Sequence, residues 1–435
     1  MSAYALPLTM AVLTLAGILA GYRVGMVLAG AAALFILISD LPLAYFNLLV
    51  SRIYANVLSN WLLVAIPMFI FMGLILEKSG VAERALRAAQ TALGGSAAGM
   101  GISVLLIGVL LAASSGIVGA SVVLLATLAL PRLQEAGYGN ATAAGLIASS
   151  GTLAILIPPS VMLIVLGDQL QTPVPDMFAG AILPGLLLVG AYGALVIFRA
   201  RGLPRQERSD RASPLRLLID LGPLKALVVS VLGSIIAGIA TPTEASGLGA
   251  FGAILITVIY GKFRLRIVMD AARQTVVTTS MVLLVMIGAT CFAAVFKAIG
   301  GGDMVEAGLT AFGEGPYTVL LVVMAAVFIL GFVLDWLEIT LILVPIFAPV
   351  VAGLDFGNGL SGEALMIWFG VLIAVNLQTS FLTPPFGFSL FYLRGAVGDA
   401  LSMSEIYRGV LPFIGLQLLV LGVLVAFPGL ITGFD

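Results

Sequence analysis

The stretch Ser149-Ser150-Gly151-Thr152-Leu153-Ala154-Ile155-Leu156-Ile157-Pro158-Pro159-Ser160 decides the fold. It sits inside an apolar segment, about 140–168, of bilayer-crossing length, yet it opens on hydroxyls and closes on two prolines. A helix broken there leaves carbonyls and N–H groups without partners. At membrane depth such backbone is tolerated only where it is buried in protein or faces an aqueous cavity. A second segment, about 361–395, repeats the pattern. It holds Asn376-Leu377-Gln378-Thr379-Ser380 and then Thr383-Pro384-Pro385. The two Pro-Pro pairs are 226 residues apart.

Outward from these breaks, more features recur at nearly the same shift. Two apolar segments, 98–131 and 316–350, are too long for one span and too interrupted to be one. The first breaks at Ala112-Ala113-Ser114-Ser115-Gly116 and the second near Gly331-Phe332-Val333-Leu334-Asp335. Both read as re-entrant helical hairpins. Lys78 and Leu93-Gly94 match Lys297 and Phe312-Gly313 at 219, Leu130-Pro131 matches Ala348-Pro349 at 218, and Pro184 matches Pro412 at 228. The chain therefore reads as a first repeat over 1–200, a linker over 201–222 and a second repeat over 223–435. Uninterrupted spans are expected at 3–21, 24–46, 57–76, 177–198, 223–240, 244–261, 275–297 and 410–431. The first of these, with no Lys or Arg before it, reads as a span and not as a removable signal. Glu77 to Arg87 and Arg264 to Arg273 carry mixed charge beside the hairpins and read as interfacial helices, or as arms joining a fixed part to a moving one.

Composition sets the class. Of 435 residues, 61% are hydrophobic and 9% charged, with a mean hydropathy of +1.19. Soluble proteins carry roughly 25% charged residues, so this is an all-α integral membrane protein. A net charge of −1 argues against nucleic acid as a partner. Histidine is absent, which removes imidazole catalysis and a histidine proton relay. The single cysteine, Cys291, excludes a disulfide framework. No phosphate-binding GxxxxGK[ST] loop is present.

Each repeat makes five crossings, an odd number, so the second enters the membrane upside down, as inverted repeats of secondary transporters do. Charge gives an independent check. Arg199, Arg201, Arg205, Arg208, Arg211 and Arg216 make the loop after the first repeat cytoplasmic. Propagating that choice places 18 of the 20 Lys and Arg inside and only Arg52 and Lys297 outside, with both termini periplasmic.

Transporters use the carbonyls and helix ends freed at broken helices to hold cations and anionic substrate groups. Here Ser114, Ser115 and Gly116 are expected to face Ser150, Gly151 and Thr152, and Asp335 to face Asn376, Gln378 and Thr379, with Thr383 close by. Hydroxyls and carbonyls are hard ligands suited to Na⁺. Ser149, Pro158, Pro159, Asn376, Pro384 and Pro385 mark the region where substrate is expected. Asp335 and Glu338 are the acids nearest membrane depth, where a charge costs roughly 2.5–3.5 kcal/mol, unless the turn is wet. Small residues alone would instead serve close helix packing. Thr241-Pro242-Thr243-Glu244 reads as a capping box with Pro at the first helical position.

SSGTLAILIPPS (149–160), TPTEASG (241–247), LDWLEITLILVPI (334–346) and TSFLTPPFG (379–387) occur in this order over essentially the whole chain. Together they resemble the large membrane subunit of TRAP transporters, the tripartite ATP-independent periplasmic transporters. The resemblance implies an elevator-type, Na⁺-coupled importer of small organic acids in the bacterial inner membrane. It also implies two partners, a periplasmic substrate-binding protein and a small membrane subunit, the latter expected as a separate polypeptide. The two Na⁺ sites would fall at the first hairpin tip with Gly151-Thr152 and at the second hairpin with Gln378–Thr383. A self-sufficient symporter or antiporter of the same architecture is the alternative. An intramembrane enzyme is disfavoured, because neither His nor a second buried Asp is available to it.

Overall fold

The computed structural model describes residues 4–93, 96–115, 118–203, 214–311, 313, 315–357 and 359–433. Among these, all regular structure is helical. Helices α1 (Ala5–Leu19) and α2 (Val24–Ile38) open the chain, and α3 (Tyr45–Ile53) passes through two irregular turns into α4 (Ala65–Lys78). Then come α5 (Val81–Leu93), the hairpin α6 (Ala97–Ser115) and α7 (Val118–Glu135), the broken helix α8 (Asn140–Thr152) and α9 (Val161–Leu170), and α10 (Val174–Arg199). The second repeat starts with α11 (Pro214–Ile236), α12 (Pro242–Ile259) and α13 (Leu265–Ala298). It continues with α14 (Gly301–Thr310), the hairpin α15 (Pro316–Leu330), α16 (Trp336–Ile342) and α17 (Val344–Ala352), and the broken helix α18 (Gly362–Leu382) and α19 (Phe388–Val397). Helices α20 (Met403–Ala426) and α21 (Gly429–Thr432) close the chain. In chain order, α5 to α10 answer to α14 to α20. Seven of the described helices are long and apolar enough to cross a membrane, and α1, α2 and others are shorter apolar helices.

Four boundaries differ from the sequence reading. Helix α2 ends at Ile38, not near residue 46, because Asp40 and Pro42 follow it. Helix α6 runs through Ala112, Ala113 and Ser114 to Ser115, since nothing in that stretch stops a helix. Helix α11 already begins at Pro214, inside the segment read as linker. Arg264 to Arg273 is no separate interfacial helix but the cap and first turns of α13, whose 34 residues extend about 51 Å. That exceeds a hydrocarbon core of about 30 Å, so the charged start projects beyond it. Glu77 to Arg87 does divide, at a turn where Gly80 takes a positive φ of 73° between α4 and α5.

The broken helices lie at the centre. Every residue from Ala143 to Thr152 in α8 and from Leu365 to Leu382 in α18 is buried. Helix α8 packs on α6, α7 and α20, and α18 on α15, α10 and α20. Gly145 and Gly409 let α8 and α20 touch backbone to backbone, since a Cβ on either would run into the other helix. The repeats are laced together. Helix α19 packs on α7 of the first hairpin, and α9 packs on α16 and α17 of the second. A second group holds α2 against α13 and α4 against α12 and α13. Leu248, Phe251 and Val258 of α12 and Leu8 and Val12 of α1 point large apolar side chains outward, as a lipid-facing surface requires.

Candidate functional site

Proline has no N–H, so each Pro-Pro pair strips hydrogen bonds from the carbonyls four residues earlier. In both repeats a serine beyond the break replaces one of them. Ser160 Oγ donates to Ile155 O at 2.8 Å, and Ser389 Oγ donates to Phe381 O at 2.6 Å. Ile155 stands four residues before Pro159 and Phe381 four before Pro385. Both Pro-Pro peptides are cis.

Just ahead of the breaks, the polar residues divide their work. Asn376 Nδ2 donates to Met324 O at 2.7 Å and Ser380 Oγ to Phe328 O at 2.9 Å, so one face of α18 is fastened to α15. Ser150 faces the equivalent arm of the first hairpin, with a Cβ on Gly108 falling 2.6 Å from its Cβ. Its hydroxyl is fully buried and has no partner among the described residues. Gly151 lies so close to Val122 of α7 that a side chain there would collide with it. Thr152 Oγ1 donates to Ser149 O at 2.9 Å and accepts from Gln378 Nε2 at 3.5 Å. Thr152 and Gln378 are 226 residues apart, the shift of the Pro-Pro pairs. Residues at corresponding positions of the two broken helices thus meet each other across the centre of the molecule. Gln378 Nε2 is also 3.5 Å from the hydroxyl of the fully buried Tyr192 in α10, while its Oε1 has no partner among the described residues.

The remaining expected residues are bound locally. Ser149 Oγ donates to Leu146 O, Thr379 Oγ1 to Val375 O and Thr383 Oγ1 to Thr379 O, all within their own helices or ends. Asp335 caps α16. Its carboxylate accepts from Trp336 N at 2.8 Å, and Glu338 accepts from Asp335 N in return. Asp335 therefore serves the start of α16 at the tip of the second hairpin, and among the described residues no hydrogen bond joins it to Asn376, Gln378 or Thr379. Gly116 lies outside the described residues, as do the side chains of Ser114 and Ser115. Sequence reading missed Tyr192, Ser160, Ser389 and Tyr392. Tyr392 is half exposed on α19, within electrostatic reach of Asp335 and beside Gly119 of α7, so it lies between the two hairpins. The Asp335-x-x-Glu338 capping box was legible, having the spacing of Thr241-x-x-Glu244, which the structure also shows capping α12.

The two breaks differ in exposure. Pro158 and Pro159 are buried, whereas Pro385 and Phe386 are exposed, Phe386 to 56%. Helix α9 packs on α4, and α19 has no comparable packing on α13.

The family description of the tripartite ATP-independent periplasmic transporter, DctM component, matches residues 9–430. The chain belongs to this family. As a TRAP large membrane subunit it is a multi-pass inner-membrane transporter component and not an enzyme. It is 30% identical to the C4-dicarboxylate TRAP transporter large permease protein DctM of Pseudomonas aeruginosa, over 85% of each chain. It is 28% identical to the sialic acid TRAP transporter large permease protein SiaM of Vibrio cholerae, again over 85% of each. The isethionate TRAP transporter permease protein DctMQ of Oleidesulfovibrio alaskensis is 30% identical over 90% of this chain but only 60% of its own length. In fold, this TRAP subunit resembles the YdaH transporter of Alcanivorax borkumensis at 16% identity, with a TM-score of 0.65 covering 94% and 98% of the two chains.

Proposed function

We propose that this TRAP subunit imports a small organic acid, driven by Na⁺, through an elevator motion of the hairpins and broken helices against the α2, α4, α12 and α13 group. Relatives named for C4-dicarboxylate, sialic acid and isethionate support an organic anion as cargo. The acid is delivered by a periplasmic substrate-binding protein, and a small membrane subunit, here a separate chain, completes the complex. The second repeat is inverted relative to the first, and both termini are periplasmic.

The observation that carries the reading is the meeting of the two broken helices at Thr152 and Gln378. Two fully buried oxygens there, Ser150 Oγ and Gln378 Oε1, lack hydrogen-bond partners among the described residues. Bare buried oxygens cost stability unless something occupies them, and a hard donor set of hydroxyls, amide oxygens and freed carbonyls fits Na⁺. Ser150, Gly151 and Thr152 would hold it in the first repeat and Gln378, Thr379 and Thr383 in the second, Na⁺ supplying charge that favours an anion nearby. The protein's own part is to hold these oxygens in place and to open one break at a time. The sealed prolines of the first repeat and the open ones of the second are consistent with access from one side only.

The test is uptake of labelled succinate and N-acetylneuraminate into proteoliposomes holding the two membrane subunits. Uptake is expected only with a binding protein outside and an inward Na⁺ gradient. Equal uptake on a pH gradient without Na⁺ overturns the sodium assignment. Uptake by this chain alone points to the self-sufficient symporter.

A further inference from the structure

A cavity of about 380 Å³ lies at the far end of α9 from its break, between the end of α3 and the turns after it, the last turn of α9, α13 and the second hairpin. That volume lies within the range of about 300–1,000 Å³ typical of small-molecule sites. Its charges are unequally served. Asp168 is engaged on both oxygens, by Asn60 Nδ2 at 2.6 Å and by Gln169 Nε2 at 2.9 Å. Arg52 also lines the cavity and makes no ion pair among the described residues. The carboxylate is thus held by two neutral amides, while Arg52, an exposed residue of the lining, has no acid paired with it among the described residues. Arg52 is also one of only two cations that the charge bias leaves on the outer side.

We propose that this cavity is a receiving subsite for a carboxylate or sulfonate anion, with Arg52 as its charge and Thr290 among its polar neighbours. The proposal rests on the reading of the chain as an importer of organic acids with this face periplasmic. A planar guanidinium pairs with a carboxylate through two parallel hydrogen bonds, which no other side chain does as well. Asp168 keeps its charge in the same cavity, but with both of its oxygens engaged by the amides of Asn60 and Gln169 it leaves Arg52 as the group that can take an anion directly. An acid released outside would be held here before it enters the broken-helix site.

The test replaces Cys291, the only cysteine, by Ala and introduces Asn56→Cys as a reporter on the cavity wall. The full chain, in membranes with its small subunit, is treated from outside with an anionic sulfonatoethyl and a cationic trimethylammonium-ethyl methanethiosulfonate. After correction for their rates with free cysteine, the anionic reagent is expected to react about tenfold faster. Arg52→Gln should abolish that preference and Arg52→Lys should retain it. Succinate should slow modification when Arg52 is present and not in the Arg52→Gln chain. A preference for the cationic reagent, a preference that survives Arg52→Gln, or no protection by succinate would overturn the subsite. Protection by succinate without its uptake would leave the subsite standing and remove the importer reading.

Discussion

Thr152 Oγ1 has one proton and gives it to Ser149 O, so its lone pairs are what it offers across the interface to Gln378. Thr152→Val keeps the volume and removes that acceptor. The half-maximal Na⁺ concentration for uptake should rise about fivefold, the equivalent of a lost interaction of about 1 kcal/mol, with co-purification of the small subunit unchanged. An unshifted Na⁺ dependence would take Thr152 out of the ion site. Asn376 and Ser150 occupy matching places, 226 residues apart, but do different work. Asn376→Leu removes the side-chain bond that Met324 O accepts besides its helical one and should cost roughly 0.5–1.5 kcal/mol, read as a lower unfolding temperature in detergent. Ser150→Ala removes a hydroxyl that has no partner among the described residues, so its unfolding temperature should hold while its Na⁺ requirement rises. Equal destabilisation by both variants would contradict this division.

Helix α16 has only seven residues and begins inside a hairpin tip, so its start depends on the Asp335–Glu338 capping box. Asparagine caps about as well as aspartate, and alanine loses roughly 0.5–2 kcal/mol. If capping is the role of Asp335, Asp335→Asn should retain uptake while Asp335→Ala impairs it. If the carboxylate carries a proton, Asp335→Asn should abolish coupling. Elements of this kind were legible because their signals are local: paired prolines, an acid three residues after a cap, and interrupted apolar runs. The continuity of α13 through Arg273 was less so, because charge suggested an interface while the absence of Gly or Pro from 265–287 permitted one long helix. The serine hydroxyls that serve Ile155 O and Phe381 O lay beyond sequence reading altogether. They depend on how the chain turns after each break, as does the placement of Tyr392 between two hairpins that are far apart in sequence.

At the scale of the molecule, two halves with one helix order meet through counterpart residues at Thr152 and Gln378 and exchange their limbs, α19 against the first hairpin and α9 against the second. Such mutual exchange is what an inverted pair of repeats produces when each hairpin descends from the opposite face. The proposed inversion of the repeats carries an expectation of sidedness. On the proposed five crossings per repeat, the end of each repeat would lie opposite its beginning, and the loop after the first repeat and the carboxyl terminus would lie on different sides. By charge bias the six arginines from Arg199 to Arg216 would hold that loop in the cytoplasm, and the remaining cations agree with this orientation except Arg52 and Lys297. A periplasm-active reporter joined after Asp435 should therefore be active, and a cytoplasm-active one inserted between Arg201 and Arg216 should be active in turn. Were both positions to report the same side, an even number of crossings would separate them. The second repeat would then run parallel to the first, and neither the placement of Arg52 outside nor the opposed entry of the two hairpins would survive.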